Sequence, residues 1–256
     1  MTLEQIFDTY RLLEKMTGDL DGPIGRRSTS PERRESDPFF PPRVRLEVQG
    51  RKGPWCDTIS WMTTQRIKKD ASYEDLIAIP EHLVAEILDG NLVTSPRPAP
   101  RHSRTGSSLG GELWGPFDRG RNGPGGWWIM DEPELHLGKD VLVPDLAGWR
   151  RDRMPGLPDE AFFSLVPDWI CEILSPSTAR HDRIDKMPAY ARHGAKFLWL
   201  VDPLARSLEI FVLEEARWSL HATHADDEVI RGVPFEALEL SLTPLWDVGE
   251  ESGSTG

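Results

Sequence analysis

The chain has 256 residues and a formal net charge of -12, with 38% hydrophobic and 28% charged residues. That length suffices for one sizeable globular domain with tails. The sequence contains no apolar run of roughly 18 residues, so it predicts no membrane span. The negative charge argues against a protein that coats nucleic acid non-specifically, because such binding needs local basic charge. The N-terminus lacks a signal-peptide pattern, and Cys56 and Cys171 fit no metal-binding spacing, which together predict a cytoplasmic protein.

The N-terminal part of the chain falls into two segments of different character. Apolar residues recur at three- and four-residue spacing in residues 3–18, which predicts an amphipathic helix. Residues 21–54 are rich in Pro, Arg, Gly and Ser and show little periodicity, which is typical of disorder. Residues 247–256 form a polar tail. An ordered domain is therefore expected between these ends, over residues 62–246.

The first elements of this domain are a short helix and a hairpin. Ser72 is a helix N-cap residue and is followed by acidic residues, which predicts a helix start. The apolar runs at 83–88 and 91–94 are separated by Asp89-Gly90, a strong signal for a β-hairpin. Residues 102–118 have moderate helical patterning.

The second half of the domain alternates strands and helices. Strands are predicted at 127–131, 141–149 and 168–174, followed by a break at 175–178 and a helix at about 182–193 that ends at Gly194. Residues 197–201 form an apolar strand suited to the centre of a sheet, and a hairpin at 208–213 and 218–222 follows. Strands first and a helical crossover later favour a mixed sheet flanked by helices, with a parallel pair of strands joined through the helix.

Two of these strands carry a carboxylate within an apolar run. Asp145 follows Val143-Pro144, and Glu172 lies between apolar neighbours in the strand at 168–174. A carboxylate in such a place is costly unless it is paired, hydrogen-bonded or bound to a metal. If the two strands are neighbours, alternation of side chains allows Asp145 and Glu172 to converge, and two carboxylates with water and a substrate phosphate are ordinary Mg²⁺ ligands. The pattern favours a metal-dependent phosphodiesterase; the alternatives are a turn-capping Asp145 and a buried ion pair at Glu172.

The residues around these carboxylates resemble the Uma family of restriction-endonuclease-like proteins, a bacterial branch of the PD-(D/E)xK nuclease superfamily. The resemblance covers roughly residues 65 to 246. It is carried by Asp89-Gly90, His102, Pro144-Asp145, Glu172-Ile173-Leu174-Ser175-Pro176-Ser177-Thr178, Asp182, Lys186, Tyr190, Gly194 and Leu198-Trp199-Leu200-Val201-Asp202-Pro203.

The resemblance implies an α/β fold with a restriction-endonuclease-like central mixed β-sheet flanked by helices, an N-terminal β-hairpin and a divalent-metal site. Asp145 and Glu172 would be the metal carboxylates. The superfamily lysine normally stands two residues after the second acid, where this chain has Leu174, and Lys186 on the next helix would replace it. The alternative for Lys186 is a surface ion pair with Asp182. Pro188 within the expected helix means that the helix either begins near Asp185 or is kinked.

Three further residues are candidates for the site. Glu86 in the first hairpin strand is expected to be a third acid that completes the metal shell, or else a solvent-facing glutamate. His102 is expected to meet the cleft as a metal ligand, or else to be structural. Tyr190 lies four residues after Lys186 and either holds the lysine or packs in the core.

These observations lead to a predicted function and its competitors. The first hypothesis is a Mg²⁺- or Mn²⁺-dependent endonuclease that hydrolyses phosphodiester bonds in DNA, with Lys186 assisting and with a homodimer as one arrangement. The alternative is a catalytically inactive nuclease-fold binding or regulatory module, which Leu174 and the acidic charge favour. A small-phosphoester hydrolase of another fold has no supporting motif, since the sequence lacks a P-loop, a Gly-x-Ser-x-Gly elbow and a His-Glu-x-x-His motif.

The resemblance also bears on the domain boundaries. The sequence from Met62 onward resembles a natural beginning for a protein of this family. Residues 1–61 are therefore expected to be a largely disordered N-terminal extension, either from an incorrectly assigned start or as an appendage. Residues 62–246 would be the nuclease domain, and residues 247–256 a disordered tail.

Overall fold

The computed structural model describes residues 63–247 and residue 249. The helix predicted at 3–18, the disorder predicted at 21–54 and nearly all of the tail predicted at 247–256 lie outside the described residues. The nature of residues 1–61 therefore stays a prediction.

The described chain contains thirteen strands, five α-helices and two π-helical segments. The strands, β1 to β13 in chain order, are Gln65–Lys68, Leu83–Leu88, Asn91–Pro96, Trp127–Asp131, Leu135–Leu137, Asp140–Leu142, Leu146–Arg150, Trp169–Ile173, Phe197–Asp202, Ser207–Glu214, Arg217–Ala225, Val229–Ile230 and Leu240–Ser241. The α-helices, α1 to α5, are Tyr73–Ile77, Pro100–Leu113, Ala179–His181, Met187–His193 and Thr243–Trp246. The π-helical segments are Trp114–Asp118 and Asp182–Lys186. None of the helices in this part of the chain has the length and apolar character needed to cross a bilayer.

The strands form two larger sheets. The six-stranded sheet has the order β11-β10-β9-β8-β7-β4, and only its β8–β9 pair is parallel. The five-stranded sheet has the order β1-β3-β2-β6-β5 and is antiparallel. The predicted mixed sheet and its parallel pair are confirmed, and the predicted N-terminal hairpin, β2–β3, is part of the second sheet.

The hairpin turn and the end of α4 follow from local residue chemistry. Asp89 and Gly90 both have positive φ, 49° and 73°, as the two-residue turn between β2 and β3 requires. Gly194 adopts the left-handed conformation with φ of 85°, and its N–H bonds back to the last turn of α4. Both turn predictions are confirmed, because glycine occupies these backbone conformations without the strain that a Cβ adds.

The core lies on both faces of the six-stranded sheet. On one face, Trp169 and Ile173 of β8 pack in a cluster with Leu109 and Leu113 of α2. On the other face, Ile170 packs in a cluster with Tyr190 of α4. Side chains of β8 therefore alternate between the two faces as predicted, and Glu172 follows Ile170 on the alternation.

The single strand predicted at 141–149 is wrong. The chain leaves the five-stranded sheet after Leu142 and enters the six-stranded sheet at Leu146. Pro144 has no N–H to donate to a ladder, and the N–H of Val143 donates to the Glu86 carboxylate at 2.8 Å instead. The break places Asp145 just before β7 rather than within a strand.

The segment predicted as a helix at about 182–193 is helical throughout, but it is not of one helix type. The segment Asp182–Lys186 is π-helical, and the N–H of Met187 bonds to the Asp182 carbonyl. Pro188 then occupies the first turn of α4, where its missing N–H is tolerated. A wider turn thus precedes the proline, and such π-turns are frequent at functional sites.

Candidate active site

A cleft of about 740 Å³ contains all the residues predicted to bind a metal or carry catalysis. Its lining comes from the end of α1, the hairpin β2–β3, the start of α2, the segments at 132–134 and 143–145, the end of β8 and the segment at 175–186. Elements far apart in sequence meet here because β7 and β8 are neighbours, with Leu146 paired to Cys171.

Asp145 is held by two donors on the same oxygen. Its Oδ2 accepts a hydrogen bond from the backbone N–H of Ile173 at 2.6 Å, and His102 Nε2 lies 3.3 Å from it. Burial lowers the pKa of His102, but its hydrogen bond to Asp145 and the charge of that carboxylate outweigh burial and raise the pKa overall. His102 therefore meets the cleft as predicted, and the contact it makes is with Asp145.

Glu172 is buried at the end of β8. Its Oε1 accepts a hydrogen bond from the Tyr190 hydroxyl at 2.5 Å and lies 2.8 Å from Lys186 Nζ. Burial raises the pKa of Glu172 well above its usual range, and the nearby carboxylates Asp182 and Asp145 add to this effect against the attraction of Lys186. Tyr190 thus packs in the core, and its hydroxyl holds the carboxylate of Glu172 rather than the ammonium group of Lys186.

Lys186 lies inside the cleft rather than on the helix surface. Its Nζ donates to the Val143 carbonyl at 2.9 Å and forms ion pairs with Glu86 at 3.1 Å and Glu172 at 2.8 Å. Burial lowers its pKa, but the attraction of Glu172 and Glu86 is greater and raises the pKa of Lys186 well above the ordinary value. The surface ion pair considered as an alternative is therefore wrong, and Lys186 is a buried ammonium ion.

Glu86 is also buried, so the solvent-facing alternative is wrong. The Val143 N–H and Lys186 both contact its Oε1, and His181 Nε2 lies 3.3 Å from its Oε2. Burial raises the pKa of Glu86, but Lys186, His181 and the Val143 N–H outweigh it and lower the pKa to about 2. Both oxygens of Glu86 therefore have protein partners.

Two residues of the cleft were not among the predicted site residues. His181 Nδ1 lies 2.9 Å from Asp185 Oδ2, so its ring bridges Asp185 and Glu86. Asp182 is buried beside them, and burial together with the charge of Asp145 raises its pKa to about 6 against the attraction of Lys186. Asp182 carried a signal, since it belongs to the family resemblance, whereas nothing in the sequence linked His181 to Glu86.

The Ser-Pro-Ser-Thr segment forms the turn between Glu172 and the helices. Ser175 Oγ lies 2.9 Å from Ser177 Oγ and 3.0 Å from Thr178 Oγ1. The Ser177 carbonyl accepts a hydrogen bond from the Thr64 hydroxyl at 2.9 Å. Leu174, which stands where the superfamily lysine is expected, is buried in the apolar cluster around Tyr190. The chain thus turns out of β8 through hydroxyl groups and carries Lys186 into the cleft from the following helix.

The donor atoms are compatible with a divalent cation. Within residues 63–247 and 249, no group of three or more His, Cys, Asp or Glu side chains is arranged to hold a metal ion. The contacts on Asp145 fall on Oδ2 and those on Glu172 fall on Oε1, which leaves Oδ1 and Oε2 outside these contacts. Two carboxylate oxygens completed by water and substrate phosphate form a common Mg²⁺ environment, so the donor chemistry of these two residues suits such a cation.

The fold and this cleft define a protein of the restriction-endonuclease-like class. A solved structure with a similar fold is the "Crystal structure of a putative nuclease belonging to DUF820 from Anabaena variabilis", which is 21% identical with a TM-score of 0.56 and covers 69% of this chain and 97% of its own. No curated protein matches the sequence.

The family follows from the sequence comparison. The Uma2 family model, described as "Putative restriction endonuclease", matches residues 70–244. The chain belongs to the Uma2 family, and the resemblance predicted from the sequence is confirmed.

Proposed function

We propose that this protein is a divalent-metal-dependent endonuclease that hydrolyses phosphodiester bonds in DNA. The observation that carries the proposal is the convergence of Asp145, Glu172 and Lys186 in one cleft, with Lys186 Nζ 2.8 Å from Glu172. Two carboxylates and one ammonium ion supply both the ligands for a cation and a positive charge beside it. Membership in a family described as restriction endonucleases supports the same conclusion.

Asp145 and Glu172 would hold the metal, either Mg²⁺ or Mn²⁺. When bound, the cation supplies Lewis-acid polarisation of the phosphate and stabilisation of negative charge. His102 and the Ile173 N–H fix Asp145, and Tyr190 fixes Glu172. These contacts preorganise the two carboxylates, so that little reorganisation is needed when substrate arrives.

Lys186 would stabilise the negative charge that develops on the phosphate. A preorganised donor of this kind contributes about 10²–10³-fold in rate. Glu86 has both oxygens occupied by Val143, Lys186 and His181. We therefore assign to Glu86 the role of aiming Lys186, and metal binding by Glu86 would require these contacts to open.

Two exposed arginines that are sequence neighbours of cleft-lining residues support a polyanionic substrate. Arg101 adjoins His102, and Arg180 lies between Thr178 and His181. Both are exposed, and neither has an ion pair, hydrogen bond or ring contact within the described part of the chain. Phosphate groups are the natural partners of such guanidinium groups.

The competing function is a nuclease-fold binding module without catalysis. One observation favours it: the Lys186 ammonium already lies between Glu86 and Glu172, and this charge balances part of the acidic cluster without a metal. An endonuclease would bind the metal and cleave DNA in its presence, whereas a binding module would bind DNA without cleaving it.

The test is cleavage of supercoiled plasmid and single-stranded DNA with Mg²⁺, Mn²⁺ or EDTA. We expect metal-dependent cleavage that falls by at least about 10³-fold in Glu172→Gln, since a metal carboxylate is lost, and by about 10²–10³-fold in Lys186→Met. Glu209→Gln is the matched control, because Glu209 is an ion-paired glutamate of the same sheet that lies outside the cleft lining.

The same variants separate the competing functions. Calorimetric titration of wild type with Mn²⁺ should show binding that Glu172→Gln abolishes. DNA binding in EDTA with no cleavage in either metal would favour the binding module. Equal cleavage by wild type and Glu172→Gln would refute the assignment of the site.

A further inference from the structure

One part of the cleft lining is aliphatic and open to solvent. It is formed by Ile77 of α1, Leu83 and Val84 of β2, Pro96 at the end of β3, and Pro98 just after it. Ile77 is 63% exposed. A contiguous apolar patch that lines a cleft beside polar groups is a place where a ligand can bury apolar surface.

The reactive groups of the same cleft are recessed. The side chain of Glu172 is 3% exposed and that of Asp145 is 20% exposed. The cleft volume of about 740 Å³ falls in the range of sites that enclose one small ligand, roughly 300–1,000 Å³. A nucleotide whose phosphate contacts Asp145 therefore has room in the cleft for its sugar and base.

The charge of the lining disfavours a double helix. Six carboxylates line the cleft, and the Lys and Arg side chains among the lining residues are Lys186 and Arg97. Duplex DNA carries about one phosphate charge per 1.7 Å of axis, against about one per 3.4 Å for each of its strands. An acidic cleft therefore repels a duplex more strongly than a single strand.

From these features we propose that the cleft binds an unpaired nucleotide of a single-stranded nucleic acid, with its base against the aliphatic surface around Ile77. This inference rests on the proposed nuclease function and narrows its substrate. Only an unstacked base offers a free apolar face. In a duplex that face is covered by stacking, so a base can contact the aliphatic surface only after it leaves the stack.

The test is fluorescence anisotropy with a labelled 15-nucleotide single-stranded DNA and with the duplex of the same sequence, in Ca²⁺ and in EDTA. We expect the single strand to bind at least about tenfold more tightly than the duplex. Ile77→Ser should weaken single-strand binding about three- to tenfold and leave duplex binding unchanged, because apolar contact is lost.

Two further variants sharpen the test. Leu220→Ser is the matched control, since Leu220 is 56% exposed on β11 and does not line the cleft. Ile77→Trp should strengthen single-strand binding several-fold, because no Trp, Tyr or Phe of the described residues lines the cleft and an aromatic ring stacks on any base.

The inference is overturned if the duplex binds as tightly as the single strand, if neither binds at micromolar concentration, or if Ile77→Ser and Leu220→Ser behave alike. Its failure is distinct from failure of the proposed function. Metal-dependent cleavage of duplex and single strand at equal rates would leave the nuclease in place and refute the single-strand preference. Tight single-strand binding without cleavage would support the single-strand preference and refute the nuclease function.

Discussion

Two buried carboxylates of this protein, Asp140 and Glu172, differ in the charges that surround them. Asp140 accepts hydrogen bonds from the Asp89 N–H at 2.8 Å, Arg192 at 3.1 Å and His193 at 2.8 Å. Glu172 has Lys186 as its ion-pair partner and lies among other acids. Asp140 is therefore surrounded mainly by hydrogen-bond donors and positive charge, whereas Glu172 is surrounded by more negative than positive charge.

The pKa shifts of the two residues follow from this difference. Burial raises the pKa of Asp140, but His193, the Asp89 N–H and Arg192 outweigh it and lower the pKa overall. Burial raises the pKa of Glu172, and the attraction of Lys186 does not outweigh this effect, because the neighbouring acids also raise the pKa. A carboxylate whose charge is matched by donors, such as Asp140, stabilises the fold. A group of carboxylates that repel one another, as around Glu172, lowers stability and indicates a functional role. The burial of a carboxylate therefore says less about its role than the sum of the charges and donors that surround it.

The largest expected effect on stability is at Asp140. Asp140→Asn should lower the free energy of unfolding by about 2–3 kcal/mol at pH 7, because Arg192 and His193 lose their charged partner. Since the folded pKa lies below the unfolded value, this stabilisation is present above the unfolded pKa and is lost as pH falls through the folded pKa. Urea unfolding at pH 7 and pH 3.5 measures it.

The control for this prediction is Asp226→Asn. Asp226 is an exposed partner of Arg206, so its replacement should change stability by less than about 0.5 kcal/mol. We expect Asp140→Asn to keep cleavage activity per folded molecule. Loss of activity without loss of stability would show that Asp140 belongs to the active site, and it would contradict the assignment of a structural role to Asp140 and a functional role to Glu172.

An effect of comparable or smaller size and of opposite sign is expected at the acidic cluster. Asp182 has a pKa of about 6, above its unfolded value, so its ionisation costs stability as pH rises from the unfolded pKa to about 6. Asp182→Asn should therefore raise the free energy of unfolding by roughly 1–3 kcal/mol at pH 8. Near pH 4 the two proteins should be equally stable. Urea unfolding in EDTA at both pH values checks this, and destabilisation at pH 8 would show that the ionised Asp182 is stabilised by its surroundings.

The smallest effect is expected at the cleft margin. Arg101→Gln and Arg180→Gln should each weaken binding of an oligonucleotide about two- to fivefold and lower the slope of log affinity against log salt by about 0.7–0.9. Arg217→Gln is the control, because Arg217 is also exposed without a side-chain partner in the described chain but lies on β11, three strands from β8. Anisotropy at several salt concentrations measures the slopes, and an equal change in the control would mean that only net charge matters.

Local residue chemistry determined most of the elements in the described chain. Asp89-Gly90 specified the hairpin turn, Gly194 ended its helix, and the apolar run at 197–201 became a central strand. These features depend on the conformational range of glycine and on the period of apolar residues, both of which are properties of short segments. The exchange of the chain between sheets at Val143–Asp145 escaped prediction, because the partner of the Val143 N–H is Glu86, 57 residues away.

Sequence patterns alone indicated Asp145, Glu172 and Lys186 as site residues, and motif spacing indicated the family. The contacts of these residues depend on the three-dimensional fold: Lys186 lies between two glutamates, Tyr190 binds Glu172, and His181 contacts Glu86. Charges that lie far apart in sequence determine one another's state only when burial brings them together and removes the water that would screen them. The acidic residues of the site could therefore be identified from the sequence, whereas the charges that surround each of them follow from the fold.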